Sequence, residues 1–306
     1  MKSIKLNTEQ NMPIMGLGTW RAGRGEVYQA VRWAIKIGYR HIDCASIYGN
    51  EAEIGQAIKD AVNEGDIKRE ELFVTSKLWC DMHAPEDVLP ALQKSLDDLQ
   101  LDYFDLYLIH WPVAIKKGVS APQSDEDMIS LDKLPLEVTW AEMEKAYHQG
   151  LVKSIGVSNF GKKRLESFIS KINVMPAVNQ VECHPFLQQN DLIEFCSKNN
   201  IAVTAYSPLG SQHKDYGLSV LDDEIIKSIA SRLNITPAQV ILAWQINRNV
   251  IVIPKSVHVE RLKENFAALA IELDEQDMQQ IASLDKNYRF IDGSFFEYGD
   301  YKNIFA

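Results

Sequence analysis

The chain has 306 residues, 46% of them apolar, enough for a large buried core. A formal net charge of −10 argues against a nucleic-acid or anionic-membrane partner, so any anion site has to be local. Four scattered cysteines, Cys44, Cys80, Cys183 and Cys196, form no C-x-x-C pair and read as reduced thiols. The start MKSIKLNTEQNMP lacks the apolar core of a signal peptide, and no run reaches the ~20 apolar residues of a membrane span, so a cytoplasmic protein is expected.

IKLNTEQNMPIMG reads as two short strands around a polar turn, a hairpin suited to plugging the bottom of a barrel. Eight short apolar runs follow: GLGT, HIDCA, LFVTSK, LYLIHW, SIGVSN, AVNQVE, AVTAYS and VIVIPKS. They have the composition of strands buried on both faces, and stretches of helical periodicity separate them. The alternation predicts an α/β fold, a (β/α)8 TIM barrel with an N-terminal β-hairpin. No Pro/Gly/Ser tract or charge block offers a linker, so residues 1–306 are expected to form one domain.

A helix is expected to begin at Asn50, with Glu53 completing a cap signature and Ile54, Ala57, Ile58 and Ala61 on its buried face. Asn234-Ile235-Thr236 spells a glycosylation acceptor, but Thr236-Pro237-x-Gln239 before an apolar run spells a helix cap, and the cap is the expected reading. Three stretches exceed ordinary connection length: Val113 to Pro135, Ser207 to Val220, and the tail from Asn287. The first and third are expected to wall a substrate pocket and the second to fold over a bound cofactor.

Four polar side chains sit where strands end: Asp43 and Tyr48 in RHIDCASIYGNE, Lys77 in LFVTSKLW and His110 in LYLIHWP. The carboxyl ends of barrel strands form the active face, so these groups should converge. A lone tyrosine is a poor proton donor at neutral pH; Lys77 beside Tyr48 would lower its pKa, Asp43 would hold Lys77 charged, and His110 would orient a carbonyl oxygen. A tyrosine that protonates a carbonyl oxygen needs a hydride at the carbon. No side chain supplies one, so a nicotinamide cofactor is implied. A metal-dependent hydrolase would bring a ligand cluster such as His-x-His on the first strand; the chain has none, and His41 with Asp43 is too sparse for a metal site.

From end to end the chain resembles the aldo-keto reductases: MGLGTW, RHIDCASIYGNE, LFVTSKLW, LYLIHWP, SIGVSNF, VNQVECHP, AYSPLG and IPKS…RLKENF follow that family's order and spacing. By that resemblance Asp43, Tyr48, Lys77 and His110 match the catalytic tetrad, with Tyr48 as general acid. MGLGTW lacks the third glycine of the usual dinucleotide fingerprint, but the family binds its cofactor extended across the barrel mouth. Its matching positions are Thr19, Trp20, Ser158, Asn159 and Gln180 around the nicotinamide, with Tyr206 stacked under the ring. Ser207, Leu209 and Ser211 follow in the covering loop, Lys255, Ser256 and Arg261 meet phosphate, and Glu264 and Asn265 meet the adenine. Two cations close together on an acidic protein suit a ribose 2′-phosphate, so NADP(H) is expected over NAD(H).

Trp20, Trp79 and Trp111, with His110, are expected to line the substrate pocket. The likeness is strongest to the polyol-forming branch, first mannose-6-phosphate or aldose-6-phosphate reductases, then xylose and aldose reductases, carried by PLEVTWAEMEKA, VLDDEIIKSIA, ERLKENF and LDKNYRF. A sugar phosphate would need a cation at the rim, for which Lys116, Lys117 and Arg289 are the candidates. Gly49 stands where the phosphate-reducing plant enzymes have lysine. The alternatives are a general aldehyde or xylose reductase and a cofactor-binding, non-catalytic subunit, as a monomer or homodimer. The expected partner is a small carbonyl compound.

Overall fold

The computed structural model describes residues 2–210 and 217–305. The opening hairpin forms as expected, β1 (Ser3–Lys5) pairing antiparallel with β2 (Asn11–Pro13). Asn7 Nδ2 donates to Pro176 O at 3.0 Å, and Thr8 and Ser154 share a hydroxyl hydrogen bond of 2.7 Å. Ser154 and Pro176 lie one and two residues before barrel strands, so the hairpin caps the amino end of the barrel.

The eight expected strands are all present: β3 (Leu17–Gly18), β4 (His41–Asp43), β5 (Phe73–Leu78), β6 (Leu106–Ile109), β9 (Ile155–Ser158), β10 (Val178–Glu182), β11 (Ala202–Tyr206) and β12 (Ile251–Val252). They pair in parallel and in chain order, and bridges Met15↔Val252 and Gly18↔Lys255 join the last strand to the first. The connections carry α1 (Glu26–Ile37), α2 (Glu51–Asn63), α3 (Pro85–Leu99), α4 (Leu136–His148), α5 (Lys162–Ile169) and α6 (Asn190–Lys198), then α7 (Glu224–Leu233) with α8 (Pro237–Asn247), and finally α9 (Val259–Ala267) and α10 (Glu275–Ala282). Helix α8 is apolar all round because it is enclosed all round: Val240 through Ile246 are buried. Its start is the expected capping box, with Thr236 Oγ1 accepting from Gln239 N and Gln239 Oε1 accepting from Thr236 N.

Two of the long connections fold onto each other. The one after β6 contains the small hairpin β7 (Ala114–Ile115) and β8 (Met128–Ile129). Tyr301 of the tail donates to Ile129 O at 2.6 Å and accepts from Ala114 N at 3.0 Å, and its neighbours Phe296 and Ile304 are buried against Trp111 and Val113.

Residues of α2 depart from the expected cap. Asn50 occupies the N-cap position, but its Nδ2 donates to Thr19 O at 3.0 Å, and Glu53 accepts from Gly25 N instead of closing a box. Tertiary acceptors outcompete the local ones. Ile54, Ala57, Ile58 and Ala61 are buried as the periodicity requires. Gly55 lets α2 lie directly on α3, since a Cβ there would stand 2.5 Å from the Leu99 carbonyl. Glu51 ties the same layer together, accepting from Ser76 on β5 at 2.6 Å and from Ser95 on α3 at 2.9 Å.

Alanine in place of an interior helical glycine ordinarily gains up to about 1 kcal/mol. At Gly55 the backbone of α3 blocks the methyl group, so Gly55→Ala should instead lose about 1–3 kcal/mol in urea unfolding. Glu51 generates a second expectation. Burial pushes its carboxyl up to about 7, the bonds from Ser76 and Ser95 opposing. The folded state therefore holds a proton that an unfolded carboxyl, with an ordinary value of 4.5, gives up earlier. Stability should fall as pH rises between those values. Relative to Glu51→Gln, which keeps an acceptor without the charge, the native chain should lose on the order of 2–3 kcal/mol between about pH 5 and about pH 8.

Candidate active site

Strand alternation decides what faces the barrel interior: Asp43 ends β4 opposite Thr75, and Lys77 lies on the same face of β5 as Thr75, whereas Ser76 turns outward to Glu51. Lys77 is fully buried, and its ammonium has three acceptors for three protons. These are Asp43 Oδ1 at 2.5 Å, Cys44 O at 2.8 Å and Tyr48 Oη at 3.3 Å. Tyr48 ends a 3-10 turn, Ser46–Tyr48, that Gly49 stops in the left-handed region at φ 68. A lysine at that position would need the same unfavourable backbone.

Because Tyr48 Oη accepts from Lys77, its own proton is free to point into the cleft. The ring is half-buried and stands 5.8 Å from that of His110, edge on. Burial pushes the Tyr48 hydroxyl up to about 12, and the charge of Lys77 only partly offsets this. The expected lowering by Lys77 is present but is not the larger effect, so the phenol keeps its proton at ordinary pH. Burial alone would pull the Lys77 ammonium down, yet Asp43 and then Tyr48 outweigh it and the net shift is upward. Burial, then the charge of Lys77 and the nearby His83, hold His110 well below its ordinary value, so its imidazole is neutral. Its Nδ1 is buried with no partner among the described residues.

Asp43, Tyr48 and His110 line the floor of a cleft of about 1050 Å³ at the carboxyl end of the strands, with Lys77 enclosed beneath them. Thr19 and Trp20, Ser158 and Asn159, Gln180 and Tyr206, and Ser207 and Leu209 all border it. So do Lys255, Ser256, Arg261, Glu264 and Asn265 at its far end. Ser211 lies outside the described residues. Gln180 Nε2 donates to Asp43 Oδ2 at 2.7 Å, so this side chain is tied to the acidic end of the network while its amide oxygen has no partner among the described residues. Tyr206 Oη donates to Asn159 Oδ1 at 2.7 Å, and Asn159 Nδ2 donates to His110 O at 2.9 Å. Ser158 Oγ links the two groups, accepting from Asn159 Nδ2 at 3.2 Å and donating to the Gln180 carbonyl at 2.8 Å. A cleft of this volume, lined by polar groups and by Lys255 and Arg261, fits a dinucleotide with a nicotinamide head. Glu264 is partly engaged, accepting from Thr236 Oγ1 at 2.7 Å.

Trp20, Trp79 and Trp111 border the other end of the cleft. Trp79 Nε1 donates to Ser120 O at 3.0 Å, and Trp111 packs edge on against Phe295 and Phe296, both at 5.4 Å. The three cations expected at this rim are not among the cleft-lining residues. Lys117 pairs with Asp87 of α3, Lys116 is exposed outside, and Arg289 lies over the Phe305 ring at 3.8 Å beside a separate groove. A loop sequence carries no sign of which acid will capture a lysine. Ile47, Ile291, Asp292 and Phe295 also line the cleft, the last three from the tail expected to wall it, though none had been singled out. For the tail residues the only available signal was the aromatic pair in GSFFEYG within a long terminal stretch.

Among the described residues, no helix is long and apolar enough to cross a membrane, and no group of three His, Cys, Asp or Glu could hold a metal ion. The four cysteines are free and buried.

The model of the Aldo/keto reductase family matches residues 14–286. The chain is similar to Aldo/keto reductase slr0942 of Synechocystis sp., 49% identical over 301 residues that cover 96% of this chain and 92% of that protein. It is similar also to Aldo-keto reductase family 1 member A1 of Rattus norvegicus, 45% identical over 94% of this chain and 91% of the relative, and of Xenopus tropicalis, 47% identical over 94% and 89%. A parallel barrel with this network at its carboxyl end, and similarity of that extent, agree: the chain belongs to the aldo/keto reductase family and is an NAD(P)H-dependent oxidoreductase that reduces carbonyl compounds.

Proposed function

We propose that this chain reduces aldehydes and aldoses with NADPH as the preferred donor, Tyr48 giving the proton. The observation that carries the reading is the buried Lys77 ammonium, spent on Asp43, Cys44 O and Tyr48 at the floor of an aromatic-walled cleft. When bound, the nicotinamide supplies the hydride that the carbonyl carbon requires. Tyr48 holds the proton in place for the carbonyl oxygen, and once that proton has left, Lys77 stabilises the phenolate without moving. Asp43 keeps Lys77 charged, and Gln180 fixes Asp43. Neutral His110, on the opposite side of the Tyr48 ring edge, offers a ring nitrogen to orient the substrate oxygen. The walls formed by Trp20, Trp79 and Trp111 exclude water and accept an apolar or sugar face.

The preference for NADPH rests on Lys255 and Arg261, which border the cleft beyond β12, are exposed, and have no ion-pair partner among the described residues. A sugar phosphate as substrate has less support, because Lys116, Lys117 and Arg289 lie elsewhere.

Tyr48→Phe should reduce turnover of an aromatic aldehyde by ~10²–10⁴-fold, with cofactor affinity, read by quenching of tryptophan fluorescence, kept close to native. Near-native turnover would remove Tyr48 from the role. Arg261→Ala should weaken NADPH by roughly 10- to 150-fold, the worth of about 1.5–3 kcal/mol for a charge-assisted contact, and scarcely alter NADH. Equal weakening of both cofactors would place the 2′-phosphate elsewhere.

A further inference from the structure

The tail reaches the cleft because one buried carboxylate holds it there. Glu182 ends β10 with no exposure, and its two oxygens accept from Phe290 N at 2.7 Å and Ile291 N at 3.1 Å, with His184 Nε2 at 3.0 Å from the first oxygen. The next residue, Asp292, is therefore placed at the cleft edge by the backbone before it, and Gly293, at φ 74, turns the chain immediately after. Asp292 is exposed. Its Oδ1 accepts from Ser294 N at 3.0 Å and Ser294 Oγ at 2.8 Å, and its Oδ2 has no partner among the described residues. No cation forms an ion pair with it among those residues.

Aromatic faces and one guanidinium line the cleft beside it. Trp20, Trp79, Trp111 and Phe295 supply aromatic faces, and the Arg21 guanidinium lies 4.3 Å over the Trp20 ring. Lys255 and Arg261, with no ion-pair partner among the described residues, follow β12. A carboxylate facing a cleft only nanometre-scale in extent acts on bound ligands within about one Debye length, ~8–10 Å at ordinary salt. Aromatic faces beside it add a quadrupole that also favours positive charge.

From this arrangement we infer that Asp292 sets the charge preference of the substrate end, disfavouring anionic carbonyl compounds relative to neutral and cationic ones of similar shape. This rests on the carbonyl-reductase reading above and deepens it: carboxylate-bearing and phosphorylated aldehydes are poor substrates, and ammonium-bearing aldehydes are favoured ones.

The test compares 4-carboxybenzaldehyde, 4-nitrobenzaldehyde and 4-(trimethylammonio)benzaldehyde as substrates of the native chain, Asp292→Asn and Asp292→Lys, with saturating NADPH. Ratios of kcat/KM are compared between variants, so that electronic differences among the three aldehydes cancel. Asp292→Asn keeps an acceptor for Ser294 and removes only the charge. It should raise the carboxylate-to-nitro ratio about three- to tenfold and lower the ammonium-to-nitro ratio by a similar factor, with Asp292→Lys moving both further in the same sense. In the native chain, raising salt should draw both ratios toward those of Asp292→Asn, a readout that needs no variant. Ratios indifferent to residue 292 and to salt would overturn the inference. So would a native preference for the carboxylate that disappears in Arg21→Gln, since Arg21 would then set the charge of this end. Absence of turnover on all three aldehydes would overturn the carbonyl-reductase reading itself, a result distinct from turnover that ignores Asp292.

Discussion

A fully buried ammonium with no unused proton governs the architecture of the site. Taking Lys77 out of water is costly unless its charge is matched, and Asp43 supplies the match from the neighbouring strand. With the remaining two protons taken by Cys44 O and Tyr48, the ammonium fixes three elements at once: the end of β4, the carboxyl end of β5 and the turn that carries Tyr48. Removing either charge would leave the other buried and uncompensated, which commonly costs about 3–5 kcal/mol. The same network makes the phenol a donor. Tyr48 accepts from Lys77, so its proton has only the cleft to face, and burial keeps that proton in place until a stronger reason to leave arrives.

Around this centre the protein uses buried acids as ties between layers. Asp43 joins β4 to β5 and, through Gln180, to β10 on the other side of the barrel. Glu51 joins α2 to the outward face of β5 and to α3. Glu182 holds the tail by its backbone, and Tyr301 locks that tail onto the hairpin that follows β6. Each acid is satisfied by hydrogen bonds to groups far away in sequence, the condition under which a polar side chain can be buried without a large penalty. The wall of the substrate end is thus assembled from two loops that support one another, which is why aromatic residues of the tail stand beside Trp111.

The division of charge along the cleft follows from the same assembly. Lys255 and Arg261, with no ion-pair partner among the described residues, come from the strand end and helix after β12, near one another in sequence. Asp292 comes from the tail, which the Glu182 tie delivers to the cleft edge.

The features that the sequence determines are those set by local pattern. Short doubly buried runs such as LFVTSK and LYLIHW can only be interior strands, their alternation with amphipathic stretches leads to a barrel, and Asp43, Lys77 and His110 fall at the ends of those runs because a polar group ends an apolar run. The Thr236 cap was legible for the same reason, its partner being three residues away. Tertiary structure alone decided the rest. Asn50 has the sequence of a cap yet bonds to Thr19, Lys117 looked free in its loop and is taken by Asp87, and Tyr48 is shifted upward because burial exceeds the effect of its lysine. Glu182 meets the tail across a hundred-odd residues of chain, and nothing near it in sequence announces the contact. Local pattern fixes which face of an element is buried; which distant group waits there, and how far burial then shifts a charge, depends on the closed barrel.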